Sequence, residues 1–204
     1  GKAVSSPKRL ELIEVLSQGE KTVDQLAAAT DTSVKLASAH LKALKSARLV
    51  ETRREGKNIF YRIADSAVSD LWVSLRALAE GRLLELQAAM KELIAHPTEL
   101  SPVDGKALLA QARRGAIVVI DVRPAAEYRA AHLPHARSLP LSELKARLGE
   151  LPRGKPVVAY CRGPFCLMAK EAVTLLNKKG INASRIELGV AEWRAAGLPL
   201  AREA

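Results

Sequence analysis

Between residues 96 and 102 the chain reads His96-Pro97-Thr98-Glu99-Leu100-Ser101-Pro102, and hydrophobic periodicity differs on its two sides. A proline has no N–H to donate and pushes the residue before it out of the helical region, so two prolines around polar residues end a helix and open a linker. Before the break, apolar residues recur at helical spacing. After it, short unbroken apolar runs alternate with helical segments. A chain of 204 residues has room for one or two domains. The expected division is residues 1–96, a linker at 97–102, and residues 103–204.

The first half reads as mostly α. Leu10, Ile13 and Leu16 follow Pro7 at helical spacing and stop at Gly19. Thr22 caps a helix to Ala29, with Val23, Leu26 and Ala27 on one face. Asp31-Thr32-Ser33 turns the chain into a helix over 34–47, with Leu36, Leu41 and Leu44 inward. Two β-prone runs, 49–54 and 58–63, predict a hairpin across Glu55-Gly56-Lys57. Residues 66–95 predict one long helix with an apolar stripe through Val68, Leu71, Trp72, Leu75, Leu78, Ala79, Leu86, Met90 and Leu93. This order describes a winged helix-turn-helix with an added helix. The stripe either packs within one chain or forms a seam between two copies, and a small domain has little else to cover it.

The second half alternates. Helices are expected over 105–114, 125–131, 141–148, 167–179 and 189–196, and buried strands over 116–121, 156–160 and 184–188. Alternation of this kind predicts an α/β fold, a three-layer arrangement with a parallel sheet covered on both faces.

Hydrophobic residues make up 48% of the chain, which excludes general disorder. The net charge of +10 suggests a polyanionic partner. Residues 35–62 concentrate it, with eight basic side chains and two acids. This stretch is the second helix of the helix-turn-helix and its wing, where such a fold meets double-stranded DNA. Ser33, Val34, Lys35, Ser38 and Ala39 would reach base edges. His40, Lys42 and Lys45 lie along the same helix. Arg53, Arg54 and Lys57 on the wing would read phosphates or the minor groove. The plain alternative is a solvated basic face. No apolar run approaches the roughly 18–20 residues that span a bilayer, and the start of the chain does not read as a signal peptide. With only two cysteines, Cys161 and Cys166, a disulfide framework is excluded. We expect a cytoplasmic protein with no membrane partner, in which a close cysteine pair is reactive.

Residues 9–16, Ser38-Ala39-His40-Leu41-Lys42-Ala43-Leu44, and 49–62 together resemble the ArsR family of winged-helix repressors. The resemblance implies a homodimer that binds an inverted-repeat operator and leaves it when a signal arrives. The metal-sensing residues of that family are not reproduced. Where some members have a Cys-x-Cys, this chain reads Thr22-Val23-Asp24-Gln25-Leu26-Ala27, and the last helix has Asp70 but no His before His96. We therefore expect no metal, and no cofactor.

Tyr160-Cys161-Arg162-Gly163-Pro164-Phe165-Cys166 joins a buried strand to a helix that starts at Leu167. A cysteine at the carboxyl end of a parallel strand sits where open α/β sheets bind ligands. Loop amides, the helix N-terminus and Arg162 would all favour a thiolate at Cys161. Ile120-Asp121-Val122-Arg123-Pro124 with Glu127-Tyr128, then His132-Leu133-Pro134-His135-Ala136, and finally residues 188–193 with Ala196-Gly197-Leu198-Pro199 resemble the rhodanese superfamily. The resemblance implies a rhodanese-like domain in which Cys161 accepts sulfur as a persulfide. The loop of Arg162, Gly163, Pro164, Phe165, Cys166 and Leu167 would cradle the outer sulfur, while Asp121, Arg123 and Glu127 brace the loops. Related phosphatase loops end in an Arg where this chain has Leu167, which disfavours phosphate chemistry. A loop that curls back would bring Cys166 near Cys161 and let it resolve the persulfide. Three functions are compatible: a repressor that senses reactive sulfur through a polysulfide, persulfide or thiosulfate donor; a working sulfurtransferase with a DNA-binding regulatory domain; and an inert rhodanese module used for docking.

Overall fold

The computed structural model describes residues 1–93, 100, 101 and 104–203. Most of the expected linker lies outside this set. Its two described residues are held at a sheet edge, with the Ser101 amide donating to the Arg185 carbonyl at 2.8 Å. The chain forms two compact units, Gly1–Ala79 and Glu80–Ala204.

The first unit runs α1 (Pro7–Leu16), β1 (Lys21–Thr22), α2 (Val23–Ala29), α3 (Val34–Ser46), β2 (Val50–Glu55), β3 (Asn58–Ile63) and α4 (Ser66–Arg82), the last of which continues into the second unit. Thr22 and Gln25 close a reciprocal capping box on α2, and the Ser33 hydroxyl accepts from the Leu36 amide to start α3. The hairpin forms as expected, with Val50 opposite Ile63 and Glu55 opposite Asn58. Strand β1, which the sequence reading did not separate from the α2 cap, adds a third strand beside β3. The core unites Leu12, Ile13, Val15 and Leu16 with Leu26, Leu41, Leu44 and Val50. Leu36, expected inward, is exposed; Ala37 takes the buried position instead. The buried set Ala37, Leu41 and Leu44 is spaced by four and three residues, so Leu36 falls off that face.

Two expectations for the long helix are corrected. It is broken at Leu83, and α5 (Leu84–Leu93) follows. Gly81, a poor helix former, lies two residues before the break, and the Gln87 side chain donates to the Glu80 carbonyl across it at 3.0 Å. The apolar stripe is also two stripes. Val68 and Trp72 pack on the core beside buried Ser69, whose hydroxyl bonds that of Ser17 at 2.9 Å. Leu71, Leu75 and Leu78 are 55%, 40% and 59% exposed on the other side. The side chains of Met90 and Leu93 lie outside the described residues.

The second unit adds α6 (Gly105–Arg113), β4 (Val118–Asp121), α7 (Ala125–Ala130), β5 (Arg137–Ser138), α8 (Leu141–Leu144), β6 (Val157–Tyr160), α9 (Leu167–Lys178), β7 (Ala183–Arg185) and α10 (Val190–Ala195). The strands form a fully parallel sheet in the order β5-β4-β6-β7. Every residue of β4 and β6 is buried, because helices cover both faces. One core joins Ile120, Ala159 and Cys161 to Ala169, Val173 and Leu176 of α9; the other joins Val119, Val158 and Tyr160 to Leu108 of α6 and Trp193 of α10. The two-residue strand β5 was missed because it is too short to show a period. The last strand ends at Arg185, three residues earlier than expected.

Candidate functional site

Strand β6 delivers Cys161 to the carboxyl end of the sheet, and the chain then turns through Arg162–Cys166 into α9. The turn is closed by the Cys166 amide on the Gly163 carbonyl at 3.1 Å. Gly163 has φ +145°, a conformation that side-chain-bearing residues rarely adopt. Cys161 is only 3% exposed, and its thiol donates to the Cys166 carbonyl at 3.2 Å. Cys166 is half-buried.

The interaction between the two thiols moves their acidities in opposite directions. The interaction with Cys161 brings the Cys166 thiol down to about 6. Burial opposes that shift, while the amides of Arg162 and Met168 and the Arg162 charge reinforce it. Cys161 moves the other way: the interaction with Cys166, burial and the neighbouring charge all push it up, against the amides of Ala169 and Gly163. Cys161 is buried, where the expectation was of a reachable sulfur. Of the two, Cys166 is in the surroundings that favour the thiolate.

The loop cation is also committed. Arg162 forms a bidentate pair with Glu127, at 3.1 Å from Nε and 2.6 Å from Nη2, while its charge still favours a thiolate at Cys166. Asp121 and Arg123 are both fully buried and joined at 2.6 Å. The Tyr160 hydroxyl donates to Asp121 at 2.6 Å and accepts the Leu133 amide at 3.1 Å. This network ties the ends of β4 and β6 together next to the cysteine turn. His132 is buried, with its ring stacked on Tyr128 and Nδ1 at 2.8 Å from the Tyr128 carbonyl.

The sequence reading missed Gly189. A β-carbon there would collide with the backbone of Arg162 and Gly163, so the α10 start supports the cysteine turn from beneath. The one signal was its place in Leu188-Gly189-Val190, which that reading used only to recognise the fold. Pro164, Phe165 and Leu167 complete the turn; Leu167 is exposed.

On the first unit, Ser33, Val34, Lys35, Ser38, Ala39, Lys42 and Lys45 are all exposed along α3, and His40 is half-buried. Lys45 donates to the Thr52 hydroxyl at 2.8 Å. Exposed Val34 and Leu36 put apolar surface among these polar groups, as contact with thymine methyls requires. On the wing, Arg54 and Lys57 are exposed, with Arg54 Nε on the Gly56 carbonyl at 3.1 Å. Arg53 differs from expectation. Its guanidinium is shared between Glu20 and Glu55 and lies 5.0 Å from the Phe60 ring centroid. Its partner Glu20 lies 33 residues away in sequence. Among the described residues no group of three or more His, Cys, Asp or Glu side chains is placed to hold a metal ion.

Comparison with known proteins gives matches for both halves. Residues 104–196 match the rhodanese-like domain, and residues 6–52 match the bacterial regulatory proteins of the arsR family. The chain is 40% identical over 200 residues to the HTH-type transcriptional regulator Rv0324 of Mycobacterium tuberculosis, covering 98% of this chain and 88% of that one. It is 28% identical over 85 residues to a sulfurtransferase of Allochromatium vinosum, covering 41% of this chain and 78% of that one. Among solved structures, a homodimeric winged helix-turn-helix DNA-binding domain from Mycobacterium bovis is 42% identical, with a TM-score of 0.40, over 42% of this chain and 79% of that one.

Proposed function

The chain is an ArsR-family transcriptional regulator with a C-terminal rhodanese-like domain, and from that premise we propose that it is a repressor released from its operator by reactive sulfur taken up at the Cys161–Cys166 pair. The reading rests on the turn itself, which sets Cys166 at the start of α9 with the Cys161 thiol donating to its carbonyl at 3.2 Å, and on surroundings that lower the Cys166 thiol to about 6 while pushing Cys161 up. A thiolate with a pKa below ambient pH is the form that attacks a sulfane sulfur.

The chemistry runs in two balanced steps. The Cys166 thiolate attacks the outer sulfur of a persulfide or polysulfide donor. A sulfur–sulfur bond forms on Cys166, the donor's own bond breaks, and its inner sulfur leaves as a thiolate. That thiolate takes the Cys161 proton, and the new Cys161 thiolate attacks the inner sulfur of the Cys166 persulfide. A Cys161–Cys166 disulfide forms and hydrosulfide departs. The cysteines lose two electrons in total, and the donor's sulfane sulfur is reduced to sulfide. Closing the turn covalently alters the loop that Arg162, Glu127 and Gly189 support.

Two further features complete the reading. The exposed surface of α3 and the wing contact an inverted-repeat operator, and Leu71, Leu75 and Leu78 form the seam of a homodimer. Likeness to a sulfurtransferase over the second domain favours one alternative, in which sulfur stays on Cys161 as a persulfide and passes to a thiol acceptor.

Both readings are separated by one set of measurements. Affinity for a duplex selected from random sequence is compared before and after polysulfide treatment for wild type, C161S and C166S. We expect at least a tenfold loss of affinity in the wild type and none in either variant. Equal affinity throughout, with turnover of sulfur to a thiol acceptor, rejects the sensor in favour of the transferase.

A further inference from the structure

Parallel strands of one sheet all begin at the same end. In the second unit, the connections entering β4, β6 and β7 therefore meet at the end opposite to that where β6 releases Cys161. They carry Arg113-Arg114-Gly115, Arg153-Gly154-Lys155 and Lys178-Lys179-Gly180. Each glycine has a positive φ, of 67°, 79° and 74°, which lets each connection turn tightly and present its two cations outward. All six cations are exposed. No acidic residue occurs in 113–117, 151–156 or 178–182. Glu150, the nearest acid in sequence to the middle turn, is held by Arg147 at 2.7 and 2.9 Å. Among the described residues none of the six cations has a carboxylate within ion-pair distance. The Lys155 ammonium donates to the Gly115 carbonyl at 2.7 Å and so ties the first turn to the second. An open groove of about 710 Å³ is lined by Arg153, Lys155 and Lys179.

Three segments far apart in sequence thus place six uncompensated charges at one end of a domain, where they repel one another. Such a concentration fits a polyanion. A protein partner would be expected to find aromatic or large apolar anchors. The turns contain no aromatic residue, and the apolar side chains lining the groove, Leu148, Leu151 and Ile181, are buried or half-buried rather than presented as anchors. Duplex DNA supplies regularly spaced phosphates and needs no apolar anchor. A chain whose helix-turn-helix works on DNA meets that polyanion in its functional state. We propose that the strand-entry end of the rhodanese domain is a second duplex-DNA contact, engaging phosphates outside the operator without reading sequence and independently of the cysteine pair.

The test uses the full-length chain and two duplexes, a selected operator core and the same core lengthened by random-sequence flanks. Binding is followed by fluorescence anisotropy over a salt series for wild type and for R114Q/R153Q/K179Q. This variant removes one charge per turn and spares Lys155, which has a structural bond. Wild type should bind the flanked duplex more tightly and with the steeper salt dependence. The variant should bind the core as wild type does, whereas its slope of log K against log salt on the flanked duplex should be shallower by about 2.7, at roughly 0.9 per phosphate contact. Should the triple variant melt below wild type, R113Q/K178Q provides the same readout with an expected change of about 1.8. Unchanged slopes on the flanked duplex overturn the proposal while leaving operator binding by the first domain intact. So does tighter binding of poly-L-glutamate than of random duplex, lost in the variant, which would mark the face as one for acidic proteins.

Discussion

At the residue scale the main feature is a cysteine pair whose surroundings shift the two thiols in opposite directions. Cys161 and Cys166 have ordinary thiol chemistry in isolation. Either side of the turn into a 12-residue helix, they meet different surroundings: the Cys161 thiol is buried on the Cys166 carbonyl, and Cys166 sits half-buried at the helix start. Because the Cys166 thiol is brought down to about 6, its thiolate is present above that pH and lost below it. Alkylation by iodoacetamide should therefore rise through pH 6 and level off, consuming one thiol; the second should react only in alkaline solution. In Cys161→Ala the principal cause of the shift is gone, and the midpoint should return toward the ordinary value of about 8.5. Mass spectrometry of the labelled peptide gives both the rate and the site. A wild-type midpoint at the ordinary value would remove the basis for calling Cys166 the entry sulfur.

At the element scale, what matters is how secondary structures support a turn held by the backbone bond from the Cys166 amide to the Gly163 carbonyl. The cysteine turn rests on three supports: the Asp121–Arg123–Tyr160 network below, the Glu127–Arg162 pair beside it, and the start of α10 against its backbone. The last is the most specific, since Gly189 has no room for a methyl group. Overpacking of this kind typically costs about 1–3 kcal/mol. Gly189→Ala should lower stability by that amount in chemical denaturation, and should also return Cys166 alkylation toward ordinary pH dependence by displacing the Arg162 amide. Loss of stability with an unchanged alkylation profile would mean that α10 does not set the turn. The first unit shows the same logic on its wing. Arg53 reads in sequence as one more DNA-facing cation, but Glu20 at the foot of β1 and Glu55 take it into an ion-pair cluster.

At the scale of the whole molecule, α4 presents an apolar face that its own unit does not cover. Leu71, Leu75 and Leu78 recur at spacings of four and three, the pattern of one helical face. Contiguous exposed apolar surface on a small domain marks an interaction site. If two copies associate through it, Leu75→Glu should give a monomer in sedimentation velocity, and affinity for an inverted-repeat duplex should fall by a hundredfold or more, since one helix-turn-helix then reads one half-site. A Leu75→Glu dimer would assign this face to another purpose.

Much of this protein was legible along the chain because the relevant signals are local. Helical spacing, the caps at Thr22 and Ser33, the Gly56 turn and the unbroken apolar runs of β4 and β6 each depend on neighbours within a few residues, and they determined both fold classes. The position of the cysteine turn between β6 and α9 was equally local. Tertiary structure alone set the two cysteines apart, burying Cys161 and leaving Cys166 half-buried, because burial depends on segments distant along the chain. It alone showed that Arg162 and Arg53 are occupied by Glu127 and Glu20, since an ion pair is set by distance in space. It divided the apolar stripe of α4 into a covered and an uncovered face. It also gathered three dibasic turns at one end of a parallel sheet, a grouping that follows from strand direction and is invisible to any window of sequence.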